Sequence, residues 1–131
     1  KDMNWEGPEQ HIKSSKREIL SKSDIVTVHT PLTSKTKNFI NKNSFNIMKK
    51  TAFIINTARG GIVNQSDLKY ALIKKKIAGA AIDVYEQEPP KDMKLLKLPN
   101  LMCMPHIGGN STEAVSAMGL AAINNLIKVI K

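Results

Sequence analysis

Four short apolar runs separated by helix-patterned segments predict an α/β domain with a parallel sheet for this chain of 131 residues. The runs are apolar nearly throughout, as strands covered on both faces usually are. Helical segments between such strands imply right-handed parallel crossovers. The length suffices for one compact domain with its own core.

Pro8 opens a first helix at its first turn, with Ile12, Ile19 and Leu20 on the apolar side. Ile25-Val26-Thr27-Val28 reads as the first strand, ending at His29-Thr30-Pro31. Asn41 or Asn43 caps a short helix carrying Phe45, Ile47 and Met48. Ala52-Phe53-Ile54-Ile55 is the second strand. Asn64-Gln65-Ser66-Asp67 has the form of an N-cap with an acid three residues on. The helix behind it sets Leu68, Ala71 and Leu72 on one face. Ile77-Ala78-Gly79-Ala80-Ala81-Ile82 is the third strand, whose small residues permit close packing. Glu88-Pro89-Pro90-Lys91 is a rigid connection, not a domain linker. Leu101-Met102-Cys103-Met104 is the fourth strand. Asn110-Ser111-Thr112-Glu113 forms a second capping box, opening a long helix with Val115, Met118, Ala122 and Leu126 in one stripe.

Composition narrows the function classes. A hydrophobic fraction of 41% and a charged fraction of 24% are ordinary for a soluble globular protein. The longest apolar runs fall short of a membrane span, and no signal-peptide pattern is present, so no membrane partner is expected. The polar start, Lys1-Asp2-Met3-Asn4, reads as that of a chain cut from a longer one. The single Cys103 cannot form an internal disulfide, which points to the reducing cytoplasm. It lies in an apolar run and reads as core, not as a nucleophile. No Cys/His spacing suggests a metal site. The net charge of +9 raises nucleic acid as a partner. Yet clusters such as Lys49-Lys50 and Lys74-Lys75-Lys76 sit near predicted helix C-termini, where positive charge is favourable. With 5% aromatic residues there is little to stack on bases, so solvated helix ends account for the charge.

Four polar stretches lie just beyond the C-terminal ends of the predicted strands. They are Thr30-Pro31, Asn56 to Gly61, Asp83 to Glu88 and Pro105 to Gly109. Open parallel sheets bind ligands in the crevice at that edge. Arg59, between Ala58 and Gly60-Gly61, can grip a carboxylate with two parallel hydrogen bonds. An isolated arginine would read as a surface residue; its place at a strand end argues otherwise. His106, between Pro105 and Ile107-Gly108-Gly109, suits proton transfer near neutral pH. His11 and His29 read as structural. Glu88 or Glu86 supplies a carboxylate for the imidazole, and spacing alone does not choose between them. Asp83 ends a strand and is placed to face a cationic ring or an amide, or else simply forms a turn. The dinucleotide fingerprint G-x-G-x-x-G is absent from the chain.

Along nearly its whole length the chain resembles the D-isomer-specific 2-hydroxyacid dehydrogenases, and within them the phosphoglycerate dehydrogenase-like members. The resemblance rests on Ser23 to Thr33, Asn56-Thr57-Ala58-Arg59-Gly60-Gly61, Asp83-Val84-Tyr85-Glu86-Gln87-Glu88-Pro89 and Pro105-His106-Ile107-Gly108-Gly109, in the family's order and spacing. It implies a Rossmann-like parallel sheet with flanking helices and NAD as cofactor. It also selects Glu88, which directly precedes a proline, as the catalytic acid. Arg59 then matches the substrate-binding arginine and His106 the proton donor. Asp83 matches a residue beside the nicotinamide. Thr30, Pro31, Thr57, Ala58, Arg59, His106, Gly108 and Gly109 match cofactor-contacting positions. The implied reaction is reversible hydride transfer between NAD and a 2-hydroxy acid.

The resemblance further implies that residues 1–110 are the C-terminal part of an NAD-binding domain. Residues 111–131 would be a helix returning toward a substrate domain absent from the chain. Asp2 is the candidate acid for the ribose hydroxyls. The substrate implied first is 3-phosphoglycerate, because Pro105 to Gly109 followed by Ser111-Thr112-Glu113-Ala114 is similar to that branch. Hydroxypyruvate or glyoxylate reductase and D-lactate dehydrogenase are the alternatives. The parent is expected to be a homodimer, and this piece by itself to be inactive. A second class also fits: the family includes co-repressors that keep NAD binding and the same three residues but act through partners. A non-catalytic interaction module is a third.

Overall fold

A computed structural model describes residues 12–130. Pro8, His11 and Asp2 therefore lie outside the described residues, as does Lys131. The strands β1 (Ile25–Val28), β2 (Phe53–Asn56), β3 (Gly79–Ile82) and β4 (Leu101–Cys103) form one four-stranded sheet in the order β1-β2-β3-β4. All three pairings are parallel, with Val28 beside Asn56, Asn56 beside Ile82 and Ile82 beside Cys103. The strands thus finish together, and the four polar stretches leave from one edge.

The helices are α1 (Lys16–Lys22), α2 (Lys42–Ile47), α3 (Gln65–Ile73), α4 (Met93–Leu96) and α5 (Thr112–Ile130). Side-chain capping fixes most of their starts. Ser15 and Glu18 form a capping box that opens α1, and Ile12 lies outside this helix and is exposed. Asn41, not Asn43, caps α2: its side chain accepts from Asn43 N and Ser44 N. At α3 the Asn64 side chain accepts from Asp67 N, while Asp67 itself reaches Lys42 N at 2.8 Å. At α5 the Ser111 hydroxyl accepts from Ala114 N, which places the cap at Ser111 and not Asn110. The hydrogen bonds of Ser111 and of the backbone hold the Glu113 carboxyl below its usual range.

The lysine pairs and triplet follow the ends of α2 and α3 as expected. The second and third strands begin later than expected, at Phe53 and Gly79, and β4 ends at Cys103. Gly79 must be small: a Cβ there would meet the Phe53 ring and the Asn100 carbonyl at 2.9 Å. Behind the proline-rich connection the chain forms α4, which the sequence pattern does not announce. It is one turn long, too short for a period, and is set by Asp92 accepting from Lys94 N and Leu95 N.

The expectation of a sheet covered on both faces is corrected. Val26, Val28, Ile54, Ala80, Ile82 and Leu101 are buried with Leu20, Phe45, Leu68, Leu72 and Leu95 of the helices. The opposite face carries Ile25, Phe53 and Met102, which are 63%, 49% and 65% exposed. Every crossover has the same hand, so the helices that follow β1, β2 and β3 all fall on one side. Helix α5 buries no residue, and Val115, Met118 and Leu126 of its stripe are exposed, along with Leu120, Ile123 and Ile127.

The expectation about membrane spans also needs amending. By length and composition α5 is the one helix among the described residues able to cross a membrane. Its apolar residues form no long run because Ser116, Gly119, Asn124 and Asn125 interrupt them.

The one-sided core sets an expectation for stability. Ile54→Ala, at the centre of the covered face, should lower the unfolding free energy by about 2–5 kcal/mol. Met102→Ala on the bare face should change it by no more than about 0.5 kcal/mol. Equilibrium urea unfolding checks the contrast, and equal losses would mean that the bare face is packed.

Candidate active site

The arginine is presented by a turn that Asn56 builds. Asn56 ends β2 with a buried side chain. Its Oδ1 accepts from Ala58 N at 3.1 Å and its Nδ2 donates to the Arg59 carbonyl at 3.0 Å. Such a local ring of hydrogen bonds fixes a turn without regular structure. Arg59 itself is exposed; its Nη1 donates to the Ala58 carbonyl at 2.7 Å, and no carboxylate neutralises it among the described residues. The 3-10 turn Gly60–Ile62 follows. A Cβ at Gly60 would lie 2.0 Å from the Tyr85 carbonyl, so only glycine lets the loop after β2 touch the loop after β3.

The histidine is held from two sides. Asp83, just past β3 and buried, accepts from Ile107 N at 2.9 Å and Gly108 N at 2.7 Å. Burial alone would push this carboxyl up; the two backbone donors, with the nearby His106, outweigh it and leave it below its usual range. A Cβ at Gly108 would sit 2.8 Å from the Asp83 carboxylate, so the glycine is what permits this approach. His106 itself adopts φ 58°, in the left-handed region where a side chain is strained. Its ring Nδ1 lies 2.7 Å from Glu88 Oε2, and Glu88 Oε1 accepts from Tyr85 N at 3.0 Å.

The bond from His106, then that from Tyr85 N, holds the Glu88 carboxyl below its usual range. An ionised carboxylate only accepts, so Nδ1 carries a proton and Nε2 is the ring nitrogen left for exchange. Glu86 turns away: it accepts from Gln65 N at 2.8 Å. Tyr85 is buried and donates to the Met104 carbonyl at 2.8 Å; burial, with Cys103 nearby, pushes its hydroxyl up to about 12.

Arg59, Glu88 and His106 therefore line one cavity of about 720 Å3, together with Tyr85, Gly60 and Gly61. Lys37, Asn38, Leu32 and Asn64 also line it, and reading the sequence gave no sign of them. Tyr85 could have been found, since it stands inside the Asp83 to Glu88 stretch; Lys37 belongs to a lysine-rich loop with nothing local to mark it. His29 contacts Thr27 Oγ1 at 2.8 Å and takes no part. Cys103 is half-buried in β4. No group of acids, histidines and cysteines suited to a metal occurs among the described residues.

A sequence profile described as "D-isomer specific 2-hydroxyacid dehydrogenase, NAD binding domain" matches residues 5–108. The chain is 42% identical over 114 residues to D-3-phosphoglycerate dehydrogenase of Methanocaldococcus jannaschii, covering 87% of this chain and 22% of that protein. It is 48% identical over 114 residues to glyoxylate reductase of Thermofilum pendens, covering 86% and 34% respectively. It thus spans about a fifth to a third of these relatives. Among solved structures it is similar to an NAD-complexed D-isomer specific 2-hydroxyacid dehydrogenase from Lactobacillus delbrueckii ssp. bulgaricus. The TM-score is 0.79 at 28% identity, covering 89% of this chain and 40% of that one.

The residues present fit such a cofactor. The Thr30 hydroxyl, at the end of β1, is buried without a hydrogen-bond partner among the described residues. Such an orphan is costly unless a ligand or water meets it.

Two outcomes test this geometry. Gly60→Ala should cost roughly 1–3 kcal/mol or more, because the added methyl meets backbone and not a movable side chain; thermal unfolding reads it. The Asp83 tie should contribute fully above the ordinary aspartate value of about 3.9 and be lost as pH falls through the lower folded value. Asp83→Asn should therefore flatten the acid limb of stability against pH, and an unchanged limb would show that the tie is not formed.

Proposed function

The chain belongs to the D-isomer specific 2-hydroxyacid dehydrogenases through their NAD-binding domain, and from that premise we propose that its protein is an NAD-dependent oxidoreductase of a D-2-hydroxy acid, 3-phosphoglycerate first among the substrates. The 2.7 Å contact between Glu88 and His106, in one cavity with an unneutralised Arg59, carries the proposal. Resemblance of the stretch from Pro105 to Ala114, and a relative named D-3-phosphoglycerate dehydrogenase, support that substrate. A relative named glyoxylate reductase keeps glyoxylate as the alternative.

When bound, NAD supplies the two-electron acceptor or donor. Thr30, Pro31, Thr57, Ala58, Arg59, Asp83, His106, Gly108 and Gly109 would hold it. Arg59 binds the substrate carboxylate in bidentate fashion and draws charge toward itself from the neighbouring C2 oxygen. Nε2 of His106 gives or takes the proton at that oxygen. Glu88 stays ionised, orients the ring through Nδ1 and stabilises the imidazolium. Asn56 positions Arg59, and Asp83, besides its place in the cofactor set, positions His106.

A homodimer is the assembly proposed for the parent, on the family resemblance. Adjacent Asn124 and Asn125, with Glu113 and Lys128, disfavour placing α5 in a bilayer. A lone half-buried cysteine supports the cytoplasm as location.

Turnover of 3-phosphoglycerate with NAD by the full-length protein, followed by absorbance of the reduced cofactor, is the direct test. His106→Ala should lower kcat by about 10²–10⁴. Arg59→Ala should lower kcat/KM by roughly 10²–10³. Unchanged turnover in the histidine variant would sink the mechanism. The 131-residue chain alone should show no turnover, since it lacks the phosphate-cradling fingerprint.

A further inference from the structure

Five titratable side chains line the 720 Å3 cavity: Lys37, Arg59, Glu86, Glu88 and His106. Glu88 is occupied by His106 and Tyr85 N, and Glu86 by Gln65 N. That leaves two cations, Arg59 and Lys37, without a carboxylate among the described residues. One carboxylate on a substrate satisfies Arg59 and leaves Lys37 over.

Lys37 is exposed, but its backbone is fixed. Asn38 adopts φ 53°, a left-handed conformation that asparagine tolerates better than most residues. Asn38 N donates to the Gly61 carbonyl at 2.8 Å, and Asn64 Nδ2 donates to Asn38 Oδ1 at 3.3 Å. On the other side the Thr36 hydroxyl donates to the Pro31 carbonyl at 2.6 Å. The loop after β1 is thereby pinned to the glycine turn that follows Arg59, so the origins of the two cationic side chains are held in fixed relation. Lys35, two residues earlier in the same loop, is absent from the lining. The Thr36 bond lies between the two lysines, but only Lys37 adjoins Asn38 and lines the cavity.

We propose that Lys37 is a specificity-determining residue that binds a second anionic group on the substrate, a phosphate, at the far end from the carboxylate held by Arg59. A long flexible stem carrying three donors suits a phosphate. The proposal rests on the dehydrogenase function above and narrows its substrate class to phosphorylated 2-hydroxy acids.

The test compares 3-phosphoglycerate with D-glycerate in the full-length protein, by turnover with NAD and by calorimetric binding. Lys37→Ala should raise KM and Kd for the phosphorylated acid roughly tenfold, with kcat and both glycerate constants unchanged. Lys37→Arg should recover most of the loss, and Lys35→Ala should behave as wild type. Equal weakening of both acids, or no weakening of 3-phosphoglycerate, would overturn the assignment. If wild type turns over neither acid, the dehydrogenase function fails, and binding still decides Lys37. Selective loss of 3-phosphoglycerate binding in Lys37→Ala supports it; unchanged binding, or binding of neither acid by wild type, refutes it.

Discussion

The carboxylate of Asp83 ties the end of β3 to the loop that leaves β4, and the position of His106 depends on that tie. Two backbone donors converge on it, from Ile107 and Gly108, immediately after the histidine. The loop closes only because Gly108 has no side chain to collide with the carboxylate. The left-handed backbone at His106 is unfavourable by itself; non-glycine residues hold such conformations where the surroundings over-determine them. Here Asp83 fixes the backbone from one side and Glu88 the ring from the other. Glu88 is in turn fixed by Tyr85 N, two residues beyond Asp83, so a few residues after one strand organise the histidine supplied by the next.

Much of this was legible in the sequence, for a definable reason. Strand ends in a parallel sheet share one edge, so Arg59, Glu88 and His106 could be assigned to a common place from pattern alone. The strands and most caps are local properties, and they were recovered to within a residue or two. Glu88 against Glu86 was not local: separation along the chain is silent about which carboxylate turns toward the imidazole and which toward the start of α3. Asn56 and Asp83 were visible as residues but not as positioning groups, since those roles exist only once neighbouring loops meet. Lys37 was invisible because its placement depends on the left-handed turn at Asn38 and a hydrogen bond to Gly61. The coverage of the sheet was misjudged because apolar strands reveal that both faces avoid water, not which chain segment covers each.

The cavity is electrostatically lopsided. Its acids are consumed by internal hydrogen bonds, while its arginine and one lysine are not. The hydrogen bonds occupy the lone pairs of Glu86 and Glu88, while Arg59 and Lys37 keep donors for an anionic ligand. The surplus is local, and the chain's net charge of +9 does not produce it. Most other lysines sit at helix ends or on α1 and α3, away from the crevice.

The exposed sheet face takes no part in holding the reactive groups together. Every contact that builds Arg59, Glu88 and His106 lies at the strand ends or on the helical side. None passes through Ile25, Phe53 or Met102. The hydrogen bonds that hold Arg59, Glu88 and His106 have no partner on that face.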